Sequence, residues 1–291
     1  MKRSLILTSL LTGAGSLAMQ GALIHRYSFS NTAGEAADGS KFTDSVGGAN
    51  GTVRGAGASF TGSGLDLPGG SSATQAYGDL PNNLISVHSS VTMEGWVTVS
   101  SNAGNWTRIF DFGSTEGGNG GEIIGPGNTN GGGTGGLDYI LLSASRGNNY
   151  GQQRVEIRNE DPAGGGIATH DSNVDTVFGD PFHFALTWED TGVSTSQVNY
   201  WRNGVQQTTN GAVGSNISDL NDVNMWLGRS NWLNDANLDG TFDEFRIYDH
   251  ALDASEIAAS MAAGPDATIP EPTTGLLGLL GLAFAMRFRR R

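Results

Sequence analysis

The sequence predicts an all-β fold, an antiparallel β-sandwich, and three observations lead there. Glycine fills 45 of the 291 positions, about twice its ordinary share of roughly 7%. An interior glycine costs a helix roughly 1 kcal/mol, whereas tight turns and loops accept it freely. Short runs of alternating apolar and polar residues recur between turn signals, the period-2 signature of half-buried strands. A helix start with a matching stop occurs near the carboxy terminus alone. With no cysteine in the chain, core burial or a bound ion must hold the fold, and a body of about 240 residues buries enough apolar surface for that.

The elements follow in order. HRYSFS (25–30) is the first strand. In SSVTMEGWVTVS (89–100), Val91, Met93, Val97 and Val99 share one face and Trp96 takes the other. DYILLSAS, RVEIRN and NMWLGRS add three more strands. PFHFALTWED alternates most cleanly: Phe182, Phe184, Leu186 and Trp188 on one face, His183, Ala185 and Thr187 on the other. QVNYWRNGV runs into an Asn203-Gly204 hairpin turn, where both central residues must accept positive φ. GTFDEFRIYD is the last strand. In LDASEIAASMAAG, Asp253 and Glu256 form a capping box and Gly264 ends a short helix. The segment from Gly113 to Gly136 is half glycine, 12 of 24 residues. It buries too little to order itself, and reads as a mobile surface loop or one that orders on a ligand.

The two ends read as addresses. MKRSLILTSLLTGAGSLAMQGA (1–22) has a basic start, an apolar stretch and a small-residue exit, the order of a secretory signal peptide. At the other end, Gly275 to Met286 is an uncharged run of twelve residues. As helix it spans about 18 Å, short of a bilayer core of roughly 30 Å. The closing arginines would hold that end in the cytoplasm. Pro270-Glu271-Pro272, a short apolar helix and a basic terminus together resemble the PEP-CTERM sorting signal. That resemblance implies recognition by the membrane protease exosortase, transient residence in the inner membrane, and a Gram-negative, exopolysaccharide-making host. A plain tail anchor is the other reading. The expected organisation is a signal peptide (1–22), a β-sandwich (23–264), a linker carrying the Pro-Glu-Pro motif (265–272), and a short transmembrane segment with a basic tail (273–291).

The body also carries a resemblance. HRYSFS, FTDSVGGANGT, SSVTMEGWV, WTRIFDFG, HFALTW, YWRNGV, WLGRS and GTFDEFRIYDHALDASEI occur in this order. They resemble the laminin-G-like domains of the concanavalin A-like lectin/glucanase superfamily, over about residues 24–262. The fold implied is a jelly roll of two curved antiparallel sheets with a short carboxy-terminal helix.

Charge narrows the partners. The net charge is −13, and six of the sixteen basic residues lie in the two terminal segments. The body thus sets ten basic against 29 acidic residues, a charge of −19. Such a surface repels nucleic acid and anionic membrane, and suits neutral glycans and divalent cations.

Three chemistries compete for the body. Strict alternation puts Asp243 on the face of Phe245 and Ile247, and a carboxylate on an apolar face needs neutralising. A hard cation would do so, and the resemblance implies a structural Ca²⁺ near this position, shared with the turn Asp44-Ser45-Val46-Gly47 and with Asn50 or Gly51. Alternatively the aspartate is held by turn N–H groups, by Arg246 or by Arg229. The absence of cysteine and the unpaired spacing of the five histidines favour calcium over zinc. For glycan binding, Trp106 and Trp232 sit in polar, loop-like surroundings, and Trp201 shares no face with its strand's aliphatics, so these three are the candidate stacking residues. Trp188 and Trp226 read as core. Catalysis finds no support. The Glu-x-Asp-x-x-Glu triplet of the glucanase branch is absent, and TFDEF places its carboxylates on opposite faces, where a retaining pair about 5–5.5 Å apart cannot form. No G-x-S-x-G motif occurs. The expectation is an exported, non-enzymatic surface or matrix protein that binds exopolysaccharide. The rivals are a structural matrix protein without a ligand site and a glycoside hydrolase.

Overall fold

The computed structural model describes residues 22–267 apart from 102, 119, 128–131, 148–150, 160–166 and 209–210, and gives the backbone alone for 167–174 and 211–213. The signal segment up to residue 21, the sorting motif Pro270, Glu271 and Pro272, and the tail 273–291 lie outside the described residues. In chain order the first strands are β1 (Leu23–Tyr27), β2 (Gly34–Glu35), β3 (Lys41–Phe42), β4 (Gly51–Arg54), β5 (Ser59–Phe60) and β6 (Leu65–Gly70). Then come β7 (Tyr77–Leu80), β8 (Ser90–Val99), β9 (Arg108–Thr115), β10 (Gly136–Ser143), β11 (Gln152–Arg158) and β12 (Ile167–Asp175). The last are β13 (Pro181–Gly192), β14 (Thr195–Arg202), β15 (Val205–Gln206), β16 (Gly211–Val213), β17 (Asn224–Leu227) and β18 (Asn237–Tyr248), followed by helix α1 (Ala254–Ala263).

The strands form two antiparallel sheets, the expected jelly-roll sandwich. The first runs β15-β14-β13-β8-β18-β6-β5-β2, with β1 also on β18 and β16 on β14. The second runs β12-β11-β10-β9-β17-β7-β4-β3. The core lies between them and is aromatic. Phe110 and Phe112 of the second sheet meet Phe184 and Phe245 of the first, with Phe110–Phe184 at 6.0 Å and Phe112–Phe245 at 5.8 Å. Alternation works as expected in β8 and β13: Val91, Met93, Val97 and Val99, with Phe182, Phe184, Leu186 and Trp188, all enter the core. The hairpin after β14 takes its positive φ at Asn203 (48°) and Gly204 (72°). Asp253 caps α1 with Glu256 closing the box, and Gly264 ends it at φ 80°.

Alternation fails in β18. The register slips between Phe242 and Glu244 against β8, a bulge with Asp243 as the extra residue. Phe242 and Phe245 therefore both enter the core, and Asp243, between Phe242 and Glu244, is half-buried. On the outer face, opposite Phe245 and Ile247, are Glu244 and Arg246, both fully buried.

That outer face of the first sheet is sealed by α1. Ala185, Tyr248, Leu252 and Ile257 cluster there with Trp201. Beneath the helix, Glu94 accepts from Arg246 Nη1 (3.1 Å), Tyr248 (2.8 Å) and Ser260 (2.6 Å), and faces His183 Nε2 at 3.2 Å. Arg246 also pairs with Glu244 and stacks on Trp96 at 4.6 Å. Arg26 closes on Glu244 at 2.9 Å. The chain leaves over this cluster, where Arg246 Nη2 donates to Gly264 O and the Asp266 N–H donates to Glu244. Buried charges are tolerable here because each is paired and hydrogen-bonded.

The glycine-rich segment is built into the second sheet. Strand β9 extends into it as far as Thr115. Asn224 donates to Gly121 O and accepts from Ile123 N, Asn82 donates to Glu122, and Arg229 donates to Gly125 O. Ile123 is buried in a satellite cluster with Tyr77, Trp226 and Leu233. One isoleucine and a set of carboxamide and guanidinium partners from the body supply the order that the segment's own composition lacks. Trp226 is thus buried as expected, but on the outer face of this sheet rather than between the sheets.

Candidate functional site

Strand β11 presents a polar face. Val155 and Ile157 enter the core, so period-2 geometry sends Arg154, Glu156 and Arg158 outward. Beside them lie Tyr139 of β10 and Arg108 at the start of β9. Two indoles from loops complete the wall. Trp106 precedes β9, and Trp232 comes from the turn between β17 and β18. Trp106, Arg108, Arg154, Glu156, Trp232 and Asp235 line one open cleft of about 330 Å³, at the low end of ligand-pocket volumes.

Each indole carries a guanidinium. Arg154 lies 5.3 Å and Arg108 5.4 Å from the Trp106 ring centroid, and Arg158 lies 5.1 Å from that of Trp232. Trp232 Nε1 donates to the Tyr139 hydroxyl (3.2 Å), which donates to Glu156 (2.6 Å), which accepts from Arg154 (3.2 Å). Arg108 pairs with Asp235 at 3.0 Å. These chains fix the two rings relative to the charged groups. The Tyr139 hydroxyl is pushed well above its ordinary pKa, by burial first and by Glu156 second, so it stays a donor.

Two glycines and one aspartate position the rings. A Cβ at Gly147 would sit 2.0 Å from Trp106 Nε1, and one at Gly136 would sit 2.8 Å from the Tyr139 ring and 3.1 Å from Trp232 Nε1. Only glycine permits those approaches. Trp106 itself has φ 59°, a left-handed conformation costly for a bulky residue. Its N–H donation to Ser145 O (2.7 Å) and the bond from Arg108 to its carbonyl hold it there. Behind the cleft, the fully buried Asp111 accepts from Asn231 N (2.9 Å) and Asn231 Nδ2 (2.7 Å), tying down the turn that bears Trp232. Burial raises the Asp111 carboxyl to about 6, against the lowering effect of Arg108 and Asn231. Asp235 is also raised, by burial first.

The structure brings together two of the three candidate tryptophans and separates the third. Trp201 packs on the outer face of the first sheet beside α1, away from the cleft. Sequence reasoning missed Arg108, Tyr139, Arg154, Glu156, Arg158 and Asp235. A signal existed for three of them: RVEIRN alternates charge and aliphatic at period 2, which is an outward charged face.

Asp44, Asn50 and Asp243 were expected to share a cation. One oxygen of Asp44 accepts from the N–H groups of Arg26, Val46 and Gly47, and the other from Ala49 N–H while facing His25 Nδ1 at 2.7 Å. Asn50 Oδ1 accepts from Asp44 N–H at 2.9 Å. Burial pushes the Asp44 carboxyl up, but these bonds outweigh it and hold the group well below the carboxylate range. The lone pairs a calcium ion needs thus already point at N–H donors, and the residues as placed do not fit a cation. The bulge removes the other half of the reasoning, because Asp243 does not lie on the face of Phe245 and Ile247. Arg246 serves Glu94 and Glu244, and Arg229 stacks between Tyr77 (4.5 Å) and Trp226 (4.3 Å). Among the described residues, no group of three His, Cys, Asp or Glu side chains is placed to hold a metal.

Double-sheet jelly rolls occur in lectin domains among several other classes. Residues 71–258 match the family model of the concanavalin A-like lectin/glucanases superfamily, and the chain belongs to that superfamily. Among solved structures it is similar to domain 4 of AbnA, an extracellular arabinanase from Geobacillus stearothermophilus, in complex with arabinotriose. Identity there is 19% and the TM-score 0.59, covering 82% of this chain and 98% of that one. It is also similar to a Trypanosoma rangeli sialidase in complex with sialic acid, at 16% identity and TM-score 0.57, covering 85% of this chain and 34% of the sialidase. The binding domain of a botulinum neurotoxin of serotype D/C matches at 11% identity and TM-score 0.52, over 83% of this chain and 52% of that one. These likenesses concern the fold. No curated protein matches the sequence.

Proposed function

We propose that this chain is an exported, surface-associated carbohydrate-binding protein that takes a glycan, an extracellular polysaccharide, between Trp106 and Trp232 without cleaving it. The observation that carries this reading is the meeting of the two indoles with Arg154, Glu156 and Asp235 in one cleft. Indole faces accept the C–H face of a sugar, while carboxylates and guanidiniums bond its hydroxyls. The arabinotriose complex of the similar arabinanase domain adds support. Export rests on the signal-like residues 1–22. Sorting rests on Pro270-Glu271-Pro272 with the apolar run and arginines after it, through an exosortase and a transient stay in the inner membrane.

The test is a broad glycan array with the wild-type chain and with Trp232→Ala. Saturable binding to one glycan class, lost in the variant, supports the reading. Indifference to every glycan by a folded protein would leave a structural matrix role. One observation favours a hydrolase instead: two carboxylates, Glu156 and Asp235, line the same cleft. Release of reducing ends from a bound polysaccharide, abolished by Glu156→Gln, would establish that alternative. Mass measurement of the mature protein decides the tail: loss of Phe284–Arg291 supports sorting, and an intact terminus supports a plain anchor.

A further inference from the structure

We infer that the cleft is built for an uncharged sugar, whose neighbouring hydroxyls are read by the Arg154–Glu156 pair and by Asp235, and that it discriminates against uronates and sialic acids. The inference rests on the carbohydrate reading of this cleft and names its ligand class.

Charges on the cleft walls cancel. Arg108 and Arg154 stand against Glu156 and Asp235. Each guanidinium in the wall already bonds a carboxylate, Arg108 to Asp235 at 3.0 Å and Arg154 to Glu156 at 3.2 Å. An anionic sugar would have to take a guanidinium from one of these partners and then lie beside the displaced carboxylate. Two like charges that close repel strongly where water is partly excluded. The rest of the molecule adds to the penalty, with a net charge of −13.

A sugar hydroxyl meets no such penalty. It donates and accepts at once, so two adjacent hydroxyls can give a proton to Glu156 and take one from Arg154 while that pair stays intact. Exposure fits the division of labour. The side chains of Arg154, Glu156 and Asp235 are 20%, 14% and 23% exposed, and Arg108 is 3% exposed. The first three can touch a ligand, whereas Arg108 positions Asp235. The two indoles offer apolar surface for the ring's C–H groups, the part of a neutral sugar that water solvates least.

The test titrates the purified full chain calorimetrically with arabinotriose, cellotriose, mannotriose, trigalacturonate and sialyllactose, at low salt and at about 0.5 M NaCl. At least one neutral trisaccharide should bind, with a Kd that changes less than about twofold across that range, because no net charge is neutralised. Glu156→Gln, checked for an unchanged thermal melt, should weaken the neutral ligand about tenfold or more. It should also improve trigalacturonate relative to it, since the cleft then holds one carboxylate fewer to repel the ligand. Wild-type preference for trigalacturonate or sialyllactose, collapsing in salt and abolished by Trp232→Ala, would overturn the uncharged-ligand class while keeping the cleft. Binding that Trp232→Ala leaves intact, or no binding to any probe, would overturn the cleft reading and this inference with it.

Discussion

The two sheets carry the same chemistry on their outer faces and use it differently. On the first, Trp96, Arg246, Glu94 and Glu244 lie under α1, and none of the charged groups reaches water. On the second, Trp106, Trp232, Arg154 and Glu156 form the same kinds of stack and ion pair, yet their side chains stay partly in solvent. The cover makes the difference. A carboxyl-terminal helix closes one face and turns its ion pairs into structure. The glycine-rich segment crosses only part of the other, docking Ile123 against Trp226 and Tyr77, and leaves the β9–β11 end open. Residue type alone therefore does not separate a structural cluster from a binding cleft.

The largest expected effect tests the closed face. Arg246→Leu strands Glu94 and Glu244 without their buried partner and should cost about 3–5 kcal/mol in urea denaturation. The matching change on the open face, Arg154→Leu, breaks a pair that is partly hydrated and should cost at most about 1 kcal/mol. Equal losses would mean that the faces do not differ in the way described.

The next effect is a pair of opposite pH slopes. Asp111, below the open cleft, has its folded pKa raised to about 6 from 3.8 by burial. The native state then holds more protons than the unfolded state between about pH 4 and 6, so stability falls as pH rises through that window. Asp111→Asn should remove that slope, worth of order 2–3 kcal/mol. Glu94, on the closed face, is pushed up by burial but is held below its ordinary value by His183 and Arg246. Its contribution is present above about pH 4.5 and is lost as pH falls further, and Glu94→Gln should flatten only that acid limb. Chemical denaturation across pH 3–8 reads both slopes.

Smaller is a crossed pair of tryptophan variants. Trp232→Ala should weaken glycan binding about tenfold, near 1.4 kcal/mol, with little change in stability, since Trp232 is 38% exposed. Trp201→Ala, packed beside α1, should cost roughly 1–2 kcal/mol of stability and leave binding unchanged. Any binding loss in Trp201→Ala would show that the two faces communicate.

Much of this frame was legible in the sequence because strand alternation is local. The core faces of β8 and β13, the Asn203-Gly204 turn and the Asp253 cap each depend on residues a few positions apart. The bulge at Asp243 was not legible, since it is set by pairing with β8 and by the aromatic core that takes both Phe242 and Phe245. Trp106 and Trp232 were identifiable one at a time as aromatics in polar loops. Their convergence depends on β9 pairing with β17, a long-range contact that no local pattern encodes. Trp201 looked the same locally and went to the other face. The anchoring of the glycine-rich segment was hidden for a similar reason: its partners Asn82, Asn224 and Arg229 come from distant strands and turns.

The smallest expected effect concerns the Asp44 turn. In a calcium-stiffened sandwich, EDTA would lower the melting temperature of the wild type and spare Asp243→Ala. The geometry predicts otherwise. The Asp44 oxygens are met by four backbone N–H groups and by His25, and these donors already stabilise the carboxylate as a cation would. EDTA should therefore leave the melting temperature where it is. Asp44→Ala should lower it whether or not calcium is present, because four backbone N–H groups and His25 lose the acceptor that ties the turn together, at a total cost of about 1–3 kcal/mol. A fall with EDTA alone, reversed by added calcium and absent in Asp44→Ala, would show that an ion can displace the donors, and that this turn resembles an open binding face more than the closed structural one.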